Sequence, residues 1–183
     1  MAEIQYYMSK QSKKYLATID LSSIDSSKKE QNALFICLLD KSGSMGNNVY
    51  TYVKEIFPLI LEKLKCDKQD NILITYDNEA KEYSGNAEFF KNQKLSSGGG
   101  NELYIGLAEI DKRFDEYIKS NIKKPIRLLT ISDGDIGSED SLFKSVDNLI
   151  KKIKNNLMVN SHAVRYFTSD SPPDTRGLSS TLK

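Results

Sequence analysis

Residues 33–168 predict an α/β domain, a doubly wound and mostly parallel sheet flanked by helices, with an N-terminal β-hairpin extension ahead of it. Short, continuously apolar runs recur along the chain, helical stripes of apolar residues alternate with them, and polar, oxygen-rich loops follow the runs. A strand covered on both faces reads as an unbroken apolar run, and strands separated by helices join in parallel.

Ile4 to Met8 and Tyr15 to Leu21 have the composition of strands, and the polar segment Ser9 to Lys14 between them suits a hairpin. Ser22 to Gln31 is a Ser/Lys-rich linker, so residues 1–32 read as an extension and 33–183 as the domain. Ala33 to Leu39 (ALFICLL) is the first core strand. Residues 49, 53, 56, 57, 60, 61 and 64 are apolar and share one helical stripe, which Pro58 is expected to kink. Ile72 to Tyr76 (ILITY) is the second core strand, and a weaker strand passes near Tyr83. After the loop Ser96 to Asn101, the residues Leu103, Leu107, Ile110, Phe114 and Tyr117 mark another helix. Ile126 to Ile131 (IRLLTI) is a buried strand. Leu142, Val146, Leu149, Ile150 and Ile153 form a third stripe, with Ser138 as N-cap ahead of Glu139 and Asp140. His162 to Phe167 is the last strand, and Asp174 to Leu182 weakly begins a further helix.

A chain of 183 residues buries roughly 70% of its unfolded surface without needing cross-links. Its 26 Lys+Arg against 25 Asp+Glu leave a net charge of +1, so no global field draws nucleic acid or an anionic membrane. The start, MAEIQYYMSK, lacks the apolar segment of a signal peptide, and no run approaches the ~18 apolar residues of a membrane span. Cys37 lies in an apolar run and reads as a small buried hydrophobe, Cys66 gives it no framework of bridges, and there is no Asn-x-Ser/Thr acceptor. The expectation is a reducing, intracellular setting.

Three polar clusters carry the chemistry. Asp40-Lys41-Ser42-Gly43-Ser44-Met45-Gly46 follows the first core strand, Gly98-Gly99-Gly100-Asn101-Glu102 opens a helix, and Ser132-Asp133-Gly134-Asp135 follows IRLLTI. Ligands of open α/β sheets bind outside the carboxyl ends of the strands, where strand order reverses. Asp40, Ser42 and Ser44 alternate, so in an extended turn their side chains converge. Two hydroxyls, two carboxylates and a loop amide make an all-oxygen set that suits Mg²⁺, with Mn²⁺ or Ca²⁺ as alternatives, rather than zinc. Two carboxylates ~4 Å apart repel by about 4 kcal/mol at an effective dielectric of 20, which a metal or a shared proton must offset, and an exposed, hydroxyl-rich cleft favours the cation.

Asp40-x-Ser42-x-Ser44 after a hydrophobic strand (FICLLDKSGSMG), a Gly-Gly loop, and a downstream strand ending in Asp133-Gly134 resemble the von Willebrand factor A domain. The likeness covers about residues 33–168. It implies a Rossmann-like sheet wrapped by helices, and a metal-ion-dependent adhesion site built from D-x-S-x-S, a threonine in the second loop and an aspartate in the third. It also implies that an acidic side chain of a protein partner completes the metal's shell. Reading GGNELYIGL against the family's Gly-Gly-Thr-Asn-Leu-Tyr-x-Gly-Leu puts Asn101 where the threonine stands, and an Asn oxygen still ligates, directly or through water, with a different reach. The metal set is therefore Asp40, Ser42, Ser44, Asn101 and Asp133, flanked by Glu102 and Asp135 as second-sphere candidates. The family usually adds a helix and a strand where this chain ends at Lys183, so it reads as a minimal or truncated domain, part of a longer chain or complex. The hairpin resembles the short β extension that precedes the domain in some intracellular members.

Blander readings stand beside these. D-x-S-x-S also forms simple Asx turns and helix caps, and a degenerate site keeps the fold without binding metal. The three glycines lack the G-x-x-x-x-G-K-[ST] pattern of a phosphate cradle. His162 opens a strand and reads as structural, and Lys151-Lys152-x-Lys154 as a solvated face. With no nucleophile–base pair at the loops, the expectation is a metal-dependent protein-interaction module and not an enzyme. The alternatives are a scaffold domain with a vestigial metal site, and a phosphohydrolase of the haloacid-dehalogenase kind with Asp40 as nucleophile. The latter wants a second aspartate where this chain has Ser42.

Overall fold

The computed structural model describes residues 4–8, 15–19, 33–134 and 137–165. Strands β1 (Ile4–Met8) and β2 (Tyr15–Ile19) pair antiparallel, Ile4 opposite Ile19, as the expected hairpin. The expected linker and the segment from Asp174 to Leu182 lie outside the described residues.

The domain is a five-stranded sheet of β3 (Leu34–Asp40), β4 (Asn71–Tyr76), β5 (Ala80–Gly85), β6 (Ile126–Ser132) and β7 (Val159–Arg165), in the order β5-β4-β3-β6-β7. Every pairing is parallel except β4 with β5, which makes β5 an antiparallel edge strand. Helices cover both faces: α1 (Asn48–Thr51), α2 (Phe57–Lys63) and α3 (Ala87–Lys91) on one, α4 (Leu103–Lys119) and α5 (Glu139–Asn156) on the other. The doubly wound, mostly parallel α/β sheet is as expected. Among the described residues no helix is long and apolar enough to cross a membrane.

The unbroken run of β3 has its physical cause in this layering. Phe35, Cys37 and Leu39 face α1–α3 with Met45, Val53, Phe57 and Phe90, while Ile36 and Leu38 face α4 and α5 with Leu107, Phe114 and Leu142. Alternate side chains of one strand thus feed two cores. Gly106 lets α4 settle onto the sheet, because a Cβ there would stand 2.7 Å from Leu38 Cδ1.

Local details differ from the sequence reading. The disruption that Pro58 imposes takes the form of a π-helical segment, Tyr52–Ile56, in which the Phe57 N–H reaches the Tyr52 carbonyl. Proline has no N–H for the carbonyl four residues back, and the wider turn absorbs that mismatch. Helix α3 was not expected, since five residues are too short to show a stripe. Asn86 caps it by accepting from the Phe89 N–H at 2.9 Å, and Phe90 packs edge-on against Phe57 with ring centroids 4.8 Å apart. Strand β7 starts at Val159 rather than His162, because its pairing with β6 recruits the polar Asn160 and Ser161.

Candidate metal centre

The chain runs β3, β4, β5 to one side of the sheet and then crosses to β6 and β7 on the other, so strand order reverses between β3 and β6. Asp40 ends β3 and Ser132 ends β6, side by side at that reversal. This is where open α/β sheets bind ligands.

Asp40 is fully buried. Its Oδ1 accepts the Ser42 N–H at 2.8 Å, and its Oδ2 accepts from Ser132 Oγ at 2.9 Å and from Asn101 Nδ2 at 3.1 Å. Burial holds its pKa above the ordinary carboxylate range, the bonds from Ser42 and Ser132 oppose that, and the charge of Asp133 adds to it. Ser42 is buried and Ser44 exposed, with their hydroxyl oxygens 3.0 Å apart. The convergence arises from a 3₁₀ turn, Gly43–Met45, rather than from the extended turn expected. The buried Met45 anchors that turn in the core beneath it.

The second loop lies against the first. Gly98 N–H donates to the Lys41 carbonyl at 2.8 Å, and Gly43 N–H to the Gly99 carbonyl at 3.3 Å. This brings the Asn101 amide to Asp40. The amide nitrogen faces the carboxylate, and Asn101 Oδ1 is left buried with no hydrogen-bond partner. A buried acceptor without a donor costs about 1–3 kcal/mol, which a cation at the site would relieve. The donor chemistry agrees. Among the described residues no three His, Cys, Asp or Glu side chains converge; the oxygens gathered here belong to two hydroxyls, an amide and two carboxylates, donors of the kind a hard divalent ion takes.

The structure therefore joins Asp40, Ser42, Ser44 and Asn101 in one network with Asp133 beside it. Glu102 turns elsewhere: its carboxylate accepts the Ser138 N–H at 3.4 Å at the start of α5. Ser138 occupies the N-cap position without a side-chain cap bond, its hydroxyl going to Ser141 at 3.1 Å. Asp135 lies outside the described residues.

The sequence reading missed several participants. Ser132 donates to Asp40 and accepts the Gly134 N–H at 3.0 Å, linking the first loop to the third; its place beside Asp133 was the available signal. Tyr76, at the end of β4, is fully buried with its hydroxyl beside Asp40 and Ser132, and burial and then the charge of Asp40 push its pKa up. Asp77, in the β4–β5 turn, forms an ion pair with Lys41. Burial opposes the ionised form of Asp77, but bonds from Lys41 and the Glu79 N–H outweigh that and hold its pKa below the ordinary range.

The fold is that of a von Willebrand factor A-like domain: the manganese-loaded TRAP protein of Plasmodium vivax matches with a TM-score of 0.51 at 14% identity, over 74% of this chain and 58% of that one. A proximal thread matrix protein from mussel byssus, described with a zinc-occupied MIDAS motif, matches with a TM-score of 0.50 at 18% identity, over 74% and 37%. The chain belongs to the family described as protein of unknown function (DUF444), whose model matches residues 9–167. A UPF0229 protein of Nitrobacter hamburgensis is 30% identical over 111 residues, which cover 60% of this chain and 24% of that protein, so the chain spans about a quarter of that relative's length.

Proposed function

We propose that this chain is a divalent-metal-dependent protein-interaction module and not an enzyme. Asp40, Ser42, Ser44, Asn101 and Asp133 hold the ion, Mg²⁺ with Mn²⁺ or Ca²⁺ as substitutes, and an Asp or Glu carboxylate of a partner protein completes its shell. The observation that carries the reading is the pairing of a fully buried Asp40 with the orphaned Asn101 Oδ1 at the strand-order reversal. When bound, the ion supplies a Lewis-acidic position that takes up an incoming carboxylate. The chain's own residues do the rest: the 3₁₀ turn aims the serine hydroxyls, and Ser132 orients Asp40.

One further fact supports binding over catalysis, and another supports a metal. His162 sits mid-strand in β7, opposite Leu129, away from the end of the sheet that carries the loops. The two structural neighbours, one manganese-loaded and the other with a zinc-occupied MIDAS motif, agree with a divalent ion in this fold. The partner's acid and the function of any longer protein belong to the same proposal.

A second reading, a scaffold domain with a vestigial site, draws on the Asn101 amide that already occupies Asp40 Oδ2. Thermal melts separate the two. Mg²⁺ or Mn²⁺ at 100 times its dissociation constant adds about 2.7 kcal/mol, several degrees for a domain of this size. Wild type should shift and Asp40→Ala should not. No shift at millimolar metal in either protein removes the metal-dependent reading and leaves the scaffold.

A further inference from the structure

The β4–β5 turn contributes no expected ligand, yet its two leading residues touch both peptide neighbours of Asn101. Asn78 Oδ1 accepts the Gly100 N–H at 3.0 Å, and the Asp77 carbonyl accepts the Glu102 N–H at 3.2 Å. Asn101 is thus gripped on each side by one turn.

The same turn also holds the first loop. The Asp77 carboxylate bonds the Lys41 ammonium with one oxygen and accepts the Glu79 N–H with the other at 2.9 Å. Lys41 lies between Asp40 and Ser42, and its backbone N–H donates to the Tyr76 carbonyl at 2.8 Å. Gly99 has φ +72°, and a Cβ there would stand 2.8 Å from Asp77 Oδ2, so the second loop rests directly on this carboxylate. The Lys41 and Asp77 side chains are 23% and 11% exposed, so the pair is partly shielded from solvent rather than a fully exposed surface bridge.

We infer that the β4–β5 turn is a fourth wall of the candidate metal centre, in which the Lys41–Asp77 pair and Asn78 are positioning residues that set Asn101 against Asp40. This rests on the metal-binding reading above. An asparagine in place of threonine carries its oxygen on a different arm, and the turn fixes where that arm begins. Outer partners of metal ligands commonly change affinity 10- to 100-fold without touching the ion.

The test is Mn²⁺ titration of the full chain, followed by loss of the free-ion electron paramagnetic resonance signal, with a metal-free melt of each variant. Wild type should bind and Asp40→Ala should not. Lys41→Met and Asp77→Ala should each weaken Mn²⁺ about tenfold, and the double variant should be no weaker than Asp77→Ala alone, as expected of residues acting through one pair. Asn78→Ala, in an exposed turn, should weaken binding less and serves as the decisive variant if Asp77→Ala does not fold. A purely structural pair would lower the melting point and leave the dissociation constant of the folded protein unchanged. Wild-type affinity in Asp77→Ala, or in Asn78→Ala where the former is unfolded, overturns this inference alone. Absence of Mn²⁺ binding in the wild type overturns both it and the metal-binding reading.

Discussion

Leu39 and Asp40 are neighbours at the end of β3 and are buried to the same degree, 1% and 0% exposed. The apolar body of the strand and its carboxyl end nonetheless have opposite energetics. From Phe35 to Leu39 every side chain meets a matching apolar surface on one face of the sheet or the other. Burial there is favourable by about 25 cal/mol per Å². At Asp40 burial opposes the charged form, and three hydrogen bonds together with nearby Asp133 make a polar cluster that still contains the orphaned Oδ1 of Asn101. The body of the strand makes the fold, and its end keeps an unresolved electrostatic cost of the kind found where a ligand is to be held.

The contrast can be broken from either side. Leu38→Ala should cost about 3 kcal/mol in denaturant unfolding and leave the metal response of the folded protein as it was. Saturating metal should add about 2.7 kcal/mol to the wild type and nothing to Asp40→Ala, with Leu38→Ala gaining as much as the wild type. Gly106→Ala should cost roughly 1–2 kcal/mol, since crowding of Leu38 and Tyr76 exceeds the gain in helix propensity of about 1 kcal/mol. The smallest effect carries the sign that matters most. In chelator, Asp40→Asn should raise the unfolding free energy by about 1 kcal/mol, because it removes a buried charge while a flip of the Asn101 amide turns its orphaned Oδ1 toward the new NH2. A fall of that size instead would mean that Asp40 serves the metal-free fold.

What was legible in the sequence follows from what is local. Asp40, Ser42 and Ser44 stand on one short segment after an apolar strand, and Asp133 after another, so strand order alone brought them together. Asn101 was placed by its glycines and the helix behind it. Tyr76, Asp77 and Asn78 were not legible, because their roles depend on which strand lies next to which and on a turn between β4 and an edge strand whose pattern is weak, whereas Ser132 stood in the third cluster and only its bond to Asp40 went unread. Of the five β5 residues that follow Ala80, one is buried, so no apolar run announced the turn before it. Glu102 was a candidate from its place beside Asn101, and its bond to the Ser138 N–H at the start of α5 depends on tertiary packing that no local pattern announces.

Asp40 Oδ2 has a last consequence. A carboxylate oxygen offers two lone-pair directions, and Ser132 and Asn101 already take them up. Any newcomer to that oxygen must evict a resident donor, so binding there is an exchange rather than an addition. For an ion that bound through that oxygen, affinity would be a difference between two bonded states, with the Ser132 hydroxyl and the Asn101 amide as the donors to be displaced.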